Sequence, residues 1–279
     1  MRPAWALLFF CLSVSAQAVD RPDLSGTWDV GSLTPLERPE AYADQAYFSK
    51  AQARAYVRDF DPLTKGVPPW MDHGTGLEPD LRTSLITYPE NGKIPYSESF
   101  RIRQQVREQK RKTYSDPEVL DLGERCIEDV VPMFPGPENN YISIVQTDDY
   151  VLVVREFMNS TRLIRLTSPR RDLPIQSWTG ISHGRWKDGR LVVETENFRP
   201  NSSLFGAGET ARLTESFEML SEDTIRYEFT IQDDSAFTLE WTAGFHFKRT
   251  SLKRYEFACH EGNFGTMRSI LRGARLQED

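Results

Sequence analysis

From residue 141 onward, the sequence is a succession of short segments rich in Val, Ile, Thr, Tyr and Phe, separated by turn residues. These residue types favour strands, and closely spaced strands favour an antiparallel meander. In segment 224–232, Ile225, Tyr227 and Phe229 share one face while polar residues occupy the other, as in a strand with one buried face. The predicted strands are 23–30, 141–147, 151–158, 162–167, 181–187, 190–198, 213–220, 224–232, 238–248 and 255–260.

Strands in this number and order predict a mainly β protein, in which an antiparallel meander closes into a barrel. Closure removes the exposed edges that an open sheet of this size would present. A two-sheet β-sandwich is the alternative fold. A few helices are predicted at the periphery: 49–60, which Ser49 would cap, the basic segment 97–114, and 263–275.

The segment between the first strand and the meander, at about 34–125, differs from the rest of the chain. It contains the first two of these helices and a loop, 61–80, that is rich in Pro, Gly and Asp. We therefore expect a single barrel domain over 19–279, with this segment as a helix- and loop-rich insertion.

The first eighteen residues have the three parts of an export signal. Arg2 precedes an uninterrupted apolar run, 4–14, which is followed by the small residues Ala16 and Ala18. This run is too short to span a bilayer, which takes about 20 residues. We expect cleavage after Ala18 and a periplasmic or secreted product without stable membrane insertion.

Two cysteines remain after that cleavage, Cys126 and Cys259. A single pair in an oxidising compartment has one connectivity, so we expect a disulfide that closes a long loop. The alternative is a catalytic thiolate, Cys259 beside His260, which would need a free thiol of low pKa.

The formal net charge of −7 argues against nucleic acid and against anionic membrane surfaces as partners. The sequence contains no phosphate-binding loop, dinucleotide fingerprint, GxSxG nucleophile motif, CxxC or HExxH. We therefore expect no cofactor and no metal ion, and a small molecule as the partner. The oligomeric state does not follow from the sequence.

One group of polar residues suggests chemistry. The Asp-Gly pair at 188–189 predicts a two-residue hairpin turn, and the resulting register places His183 opposite Glu194. Residues opposed in this way are close enough for an imidazole–carboxylate hydrogen bond. Arg185 lies diagonally from Glu194, and Glu196 continues the same face.

Whether this group can take part in catalysis depends on the face of the sheet that it occupies. If the face lines the barrel lumen, His183 acts as general base, Glu194 orients its imidazole, and Arg185 stabilises a developing oxyanion. If it faces solvent, the same residues are only a hydrated surface, which is the usual pattern of an antiparallel sheet.

Three further residues are candidates for binding. His260 and Glu261 follow Cys259, so the disulfide would hold them near Cys126. Trp28 ends the sequence Gly-Thr-Trp in the first strand. That pattern resembles the first strand of lipocalin-type barrels, and the resemblance implies that the Trp closes one end of the barrel.

Longer stretches resemble a widespread family of secreted proteobacterial and acidobacterial proteins. These stretches are ERCI (124–127), NNYISIVQT (139–147), HGRWKDGRLVVETENF (183–198) and YEFACHEGNFG (255–265). The resemblance implies an exported protein and gives no reaction. The chain departs from the family pattern at Ile181 and His183, where Asp and Arg are usual. An Arg at the second position could pair with Glu194 but could not act as a base at neutral pH.

Two functions fit these observations. The first is an exported barrel that binds a small apolar or aromatic molecule, because barrel mouths are common ligand sites and aromatic residues are plentiful. The alternative is a cofactor-free enzyme of isomerase or lyase type that performs acid–base chemistry on such a molecule.

Overall fold

The computed structural model describes residues 21–60, 74, 76–113, 117–127, 131–167, 175–200, 202 and 204–276. The expected signal peptide, 1–18, and residues 61–73 of the predicted loop lie outside the described residues. The strands are β1 (Gly26–Asp29), β2 (Ile86–Tyr88), β3 (Tyr141–Gln146), β4 (Tyr150–Arg155), β5 (Thr161–Arg165), β6 (Ile181–Lys187), β7 (Arg190–Glu196), β8 (Arg212–Ser221), β9 (Thr224–Gln232) and β10 (Trp241–Arg249). The α-helices are α1 (Lys50–Arg58), α2 (Glu98–Thr113) and α3 (Cys259–Arg275).

Nine strands close into a barrel in the order β1-β3-β4-β5-β6-β7-β8-β9-β10, with β10 paired back to β1. The predicted mainly β barrel is therefore confirmed. The short strand β2 lies outside the ring and pairs with β10. Neighbouring strands are antiparallel except β5 and β6, which are parallel and share only two residue pairs, Ile164–Ser182 and Arg165–His183.

The predicted cap of α1 is present, whereas the last predicted strand is not. Ser49 caps α1 as predicted: its Oγ accepts from the backbone of Gln52 at 3.2 Å, and the Gln52 side chain accepts from the Ser49 backbone at 2.9 Å. The strand predicted at 255–260 is wrong, because irregular chain there leads into α3 at Cys259. The pairing of β1 with β10 already closes the ring and leaves no free edge for that strand. None of the described helices is long and apolar enough to cross a bilayer.

Side chains fill the barrel interior. Tyr227, Phe229, Phe245 and Phe247 are buried, and their rings meet in tilted or edge-on geometry with centroids 5.0–6.0 Å apart. Such arrangements add to the free energy gained by burying the rings. The alternation predicted for β9 is thus confirmed, and the lumen between these strands is a packed core.

One polar network crosses this apolar interior. The guanidinium of Arg162 on β5 donates to the Ser182 hydroxyl on β6 at 2.9 Å and to the Thr195 hydroxyl on β7 at 2.7 Å. It also donates to the carboxylate of Glu215 on β8, at 2.8 Å to Oε1. A single side chain therefore links four consecutive strands, including the parallel pair.

The network extends to a fifth strand through Tyr227 on β9. Its hydroxyl donates to Glu215 Oε1 at 2.7 Å and accepts from the backbone N–H of Met133 at 3.1 Å. Burial opposes the charge of Arg162, but the nearby carboxylate of Glu215 outweighs burial and raises the pKa of Arg162. Burial and the charge of Glu215 together raise the pKa of Tyr227, so its hydroxyl remains a donor.

Trp28 marks the seam at which β1 and β10 close the ring. Its indole is fully buried and donates to the carbonyl of Leu24 at 3.0 Å. The guanidinium of Arg249, its neighbour on β10, lies 4.2 Å from the ring centroid and donates to the carbonyl of Ser25 at 3.0 Å. Trp28 therefore has the contacts of a core residue.

The expected disulfide is present between Cys126 and Cys259, which are 133 residues apart in the sequence. It joins the segment that follows α2 to the first residue of α3. The catalytic-thiolate alternative for Cys259 is therefore wrong, because its sulfur is bonded.

We predict that Glu215→Gln lowers the free energy of unfolding in urea by about 3–5 kcal/mol, because it leaves the buried charge of Arg162 uncompensated. Glu218→Gln is the matched control on the same strand. Glu218 pairs with the partly exposed Arg226, so its loss should cost only about 0–1 kcal/mol. Equal effects of the two substitutions would contradict the role assigned to the network.

We predict that reducing the disulfide lets α3 open locally while the barrel stays folded. Among the described side chains of α3 only Ile270 is buried, so little else holds this helix in place. Hydrogen exchange should accelerate in α3 and in residues 121–127, while the amides of β8 and β9 keep their rates. Acceleration in β8 and β9 as well would show that the disulfide stabilises the whole barrel instead.

Candidate functional site

The hairpin of β6 and β7 has the predicted register. His183 pairs with Glu194, and Lys187 pairs with Arg190. The two turn residues, 188–189, both have positive φ, at 51° and 74°, as a type I′ turn requires. The juxtaposition of His183 with Glu194 is therefore confirmed.

The same hairpin turns these residues away from the barrel interior. Leu191, Val193 and Thr195 of β7 are buried, so the alternating Glu194 lies on the outer face. Its carboxylate accepts from Arg185 at 2.8 Å, with the two side chains 40% and 56% exposed. The lumen on which a catalytic role depends is on the opposite face. The assignment of His183 as general base stays a prediction without an enclosed space to support it.

The remaining candidates lie on separate elements. Glu196 lies at the end of β7 and pairs with Arg212 at 3.3 Å on the outer face of the sheet. His260 and Glu261 are exposed in the first turn of α3, next to the disulfide. The structure therefore separates these residues. Glu196 lies on the outer face of the sheet, His260 and Glu261 lie on α3, and Trp28 lies in the core.

A cavity of about 1080 Å³ lies beside the barrel, between α2 and the start of α3. Its walls also include residues 121–124, Phe134, residues 136–138, Ser202, Phe205 and Gly206, and Cys259 of the disulfide lines it. Its aromatic lining consists of Tyr96, Phe100, Phe134, Phe157, Phe205 and Phe257.

The aromatic rings form contacting pairs around this cavity. Tyr96 and Phe100 stack with centroids 4.5 Å apart, and Phe157 and Phe257 lie 4.9 Å apart. Phe205 continues inward, where its ring meets the buried indole of Trp241 edge-on at 5.2 Å. The wall of the cavity is therefore continuous with the packed core, which gives it a rigid support.

Gly206 lets α2 approach the barrel at this point. It has a φ of +92°, and a Cβ at this position would lie 2.2 Å from the ring of Phe100. Both observations require glycine. The position of Phe100, and with it the shape of the cavity, depends on this residue.

Charged residues occupy one side of the cavity. From α2, Arg107 donates to Asp121 at 2.7 Å and Arg111 donates to Glu124 at 2.9 Å. Burial tends to raise the pKa of Glu124, but the hydrogen bonds from Arg111 and from the Asp121 backbone outweigh burial and lower it. A third guanidinium, that of Arg155, is largely buried and donates to the carbonyl of Phe134 at 3.3 Å.

Tyr96, one of the lining residues, has a neutral hydroxyl. Burial, reinforced by the nearby carboxylate of Glu37, raises the pKa of Tyr96 to about 12. The cavity therefore combines aromatic walls with guanidinium groups, most of whose charge is balanced by acids.

Sequence patterns did not predict this cavity, because its walls come from segments far apart in the chain. One signal is nevertheless visible in α2. Phe100, Gln104, Arg107 and Arg111 follow one another at intervals of three and four residues and share the face that lines the cavity. This side of the basic helix therefore faces the cavity.

A second imidazole–carboxylate pair lies outside the cavity. Nδ1 of His246 on β10 is 2.7 Å from Glu78 Oε2, and the other oxygen of Glu78 accepts from the Ser32 hydroxyl at 3.0 Å. The side chain of Glu78 is 4% exposed and that of His246 is 13% exposed. This contact holds the imidazole through Nδ1.

Within the described part of the chain, no group of three or more His, Cys, Asp and Glu side chains is arranged to hold a metal ion. No family model, no curated protein and no solved structure matches this chain. Its function has to be inferred from the chemistry of its own sites.

Proposed function

We propose that this protein is an exported barrel that binds a small apolar or aromatic molecule in the cavity between α2 and α3. The observation that carries the proposal is a cavity of about 1080 Å³ with six aromatic side chains in its walls. Pockets for small molecules commonly measure roughly 300–1,000 Å³ and are lined mainly by apolar and aromatic groups. The volume is thus sufficient for a molecule of several fused or linked rings.

The polar side of the cavity supports orientation of such a molecule. Arg107 and Arg111 project from one helix, and Arg155 lies against the carbonyl of Phe134. Guanidinium groups stack on aromatic faces and donate to carbonyl or carboxylate oxygens. A ligand with an aromatic body and a polar oxygen at one end matches this distribution.

Two features support export. The N-terminal sequence has the organisation of a cleavable signal, and the Cys126–Cys259 disulfide is of a kind that persists in oxidising compartments. The disulfide also supports the binding proposal, because it fixes the segment that carries Glu124 against the first turn of α3.

We predict that Gly262→Trp fills the cavity and weakens binding of the aromatic anion 1-anilinonaphthalene-8-sulfonate. Gly262 lines the cavity, and a Cβ at this position meets open space, so the indole can enter without displacing the backbone. Fluorescence titration should show a dissociation constant raised about tenfold or more, as expected when a ligand loses its pocket.

Gly265→Trp on the same helix is the matched control. A Cβ at Gly265 also meets open space, and the residue does not line the cavity. This variant should bind the probe as the unmodified protein does. If both variants lose affinity equally, or neither does, the probe is not bound in the cavity and the proposal fails.

The alternative function, acid–base chemistry without a cofactor, is favoured by one observation, the 2.7 Å contact between His246 and Glu78. A buried carboxylate at Nδ1 fixes the tautomer in which Nε2 is the basic nitrogen. That pair resembles a general base more closely than His183 does on the outer face of β6.

We predict that, if this alternative holds, His246→Gln slows deuterium incorporation from D₂O into an aromatic ketone with acidic α-protons. General-base catalysis contributes about 10²- to 10⁴-fold, so the loss should reach at least the lower figure. His183→Gln is the matched control and should retain the exchange rate. The exchange is measured by NMR. An unchanged exchange rate in His246→Gln would rule out proton transfer by this pair.

A further inference from the structure

Helix α3 is held to the protein mainly at its first residue. Cys259 is bonded to Cys126, and Ile270 is the only side chain of the helix that is buried among those the structure describes. A helix that buries one side chain gains little stability from packing. Its outer surface is therefore available for another contact.

That surface carries an apolar stripe. Phe264, Met267 and Leu271 follow one another at intervals of three and four residues, which places them along one side of the helix. Phe264 is 68% exposed and Leu271 is 45% exposed. Large apolar side chains exposed together in this way mark a binding surface.

Positive charge flanks the stripe. Arg268, Arg272 and Arg275 are exposed, and none of them forms an ion pair within the part of the chain that the structure describes. Glu261 is the one acid of the helix. The whole chain has a net charge of −7, so the net charge of this helix is opposite in sign to that of the chain.

We propose that α3 docks this protein reversibly on an anionic phospholipid surface. An amphipathic helix with an apolar stripe and arginines beside it lies in the plane of the membrane interface, with its apolar side chains among the acyl chains. The arginines then lie at the level of the phosphates, where each contributes to binding. The acidity of the whole chain does not prevent this contact, because charges farther than a Debye length from the surface are screened.

A second copy of the chain is a poorer occupant of the same surface. In a symmetric dimer the same patch meets itself, so six arginines would share the interface with only the two copies of Glu261. Like charges brought together in this way are destabilising. An anionic surface instead neutralises them.

Docking would also bring the cavity to the membrane. Gly262 and Asn263, in the first turns of the same helix, line the cavity. An apolar ligand could then pass between the bilayer and the cavity without crossing much water. The docking contact itself does not depend on the proposed ligand-binding function, since it involves other residues of the helix.

The test is flotation of the mature chain with extruded vesicles, either of phosphatidylcholine alone or of an equimolar mixture of phosphatidylcholine and phosphatidylglycerol. We expect binding to the anionic vesicles at low salt and its loss at high salt. Replacing Arg268, Arg272 and Arg275 by Gln should lower the partition coefficient about fivefold for each arginine removed. Phe264→Ser with Leu271→Ser should lower it about tenfold or more.

Two exposed residues of the barrel wall give the matched apolar control. Val145→Ser with Leu163→Ser removes side chains that are 51% and 41% exposed and should leave flotation unchanged. All variants should keep the disulfide and bind 1-anilinonaphthalene-8-sulfonate as before, which separates loss of docking from loss of structure or of the ligand cavity.

Several outcomes would overturn the proposal. These are no flotation with anionic vesicles at low salt, equal flotation with phosphatidylcholine alone, and equal loss in the barrel-wall control. A concentration-dependent dimer in sedimentation velocity that the Phe264 and Leu271 substitutions abolish, without any vesicle binding, would assign the surface to a second copy instead.

Discussion

The contact between Arg162 and Glu215 is the constraint on which the barrel most depends. It lies in an interior otherwise filled with aromatic and aliphatic side chains, where an unpaired charge is very costly. Through Ser182, Thr195 and Tyr227 the pair holds five consecutive strands in register. The strands it joins include β5 and β6, which share fewer backbone residue pairs than any other two neighbours among these five strands. Side-chain hydrogen bonds therefore stabilise the ring where the backbone ladder contributes least.

The packed interior determines where a ligand can be held. Because aromatic side chains occupy the space between the strands, the large cavity forms outside the ring, where α2 and the start of α3 stand away from the barrel wall. Phe205 belongs to both regions, with one edge against Trp241 and the other in the cavity. The barrel thus serves as a rigid support, and the connecting segments together with α2 and α3 supply most of the walls of the site. Such a division is common in proteins whose function is carried by the segments that connect a scaffold.

Much of the fold could be predicted from the sequence, and the reasons are local. The alternation of β9, the positive φ values of the turn at 188–189 and the cap at Ser49 all depend on neighbouring residues, whose preferences the sequence displays. The cavity depends instead on contacts between segments that lie far apart, which no local pattern records. The face occupied by His183 was likewise undetermined, because alternation gives two faces without saying which is buried. The pair of Glu78 with His246 spans 168 residues and left no signal in the sequence.

The parallel pairing of β5 with β6 follows from simple counting. A ring whose members alternate in direction can close on itself only if their number is even, and this ring has nine. One pair of neighbours with the same direction is therefore unavoidable, and a short hairpin cannot join such a pair, because the second strand begins at the end of the barrel opposite to the one where the first strand finishes. A ring of eight or ten strands could alternate throughout and would need no such pair. The odd strand count thus accounts for the presence of a parallel pair in this barrel.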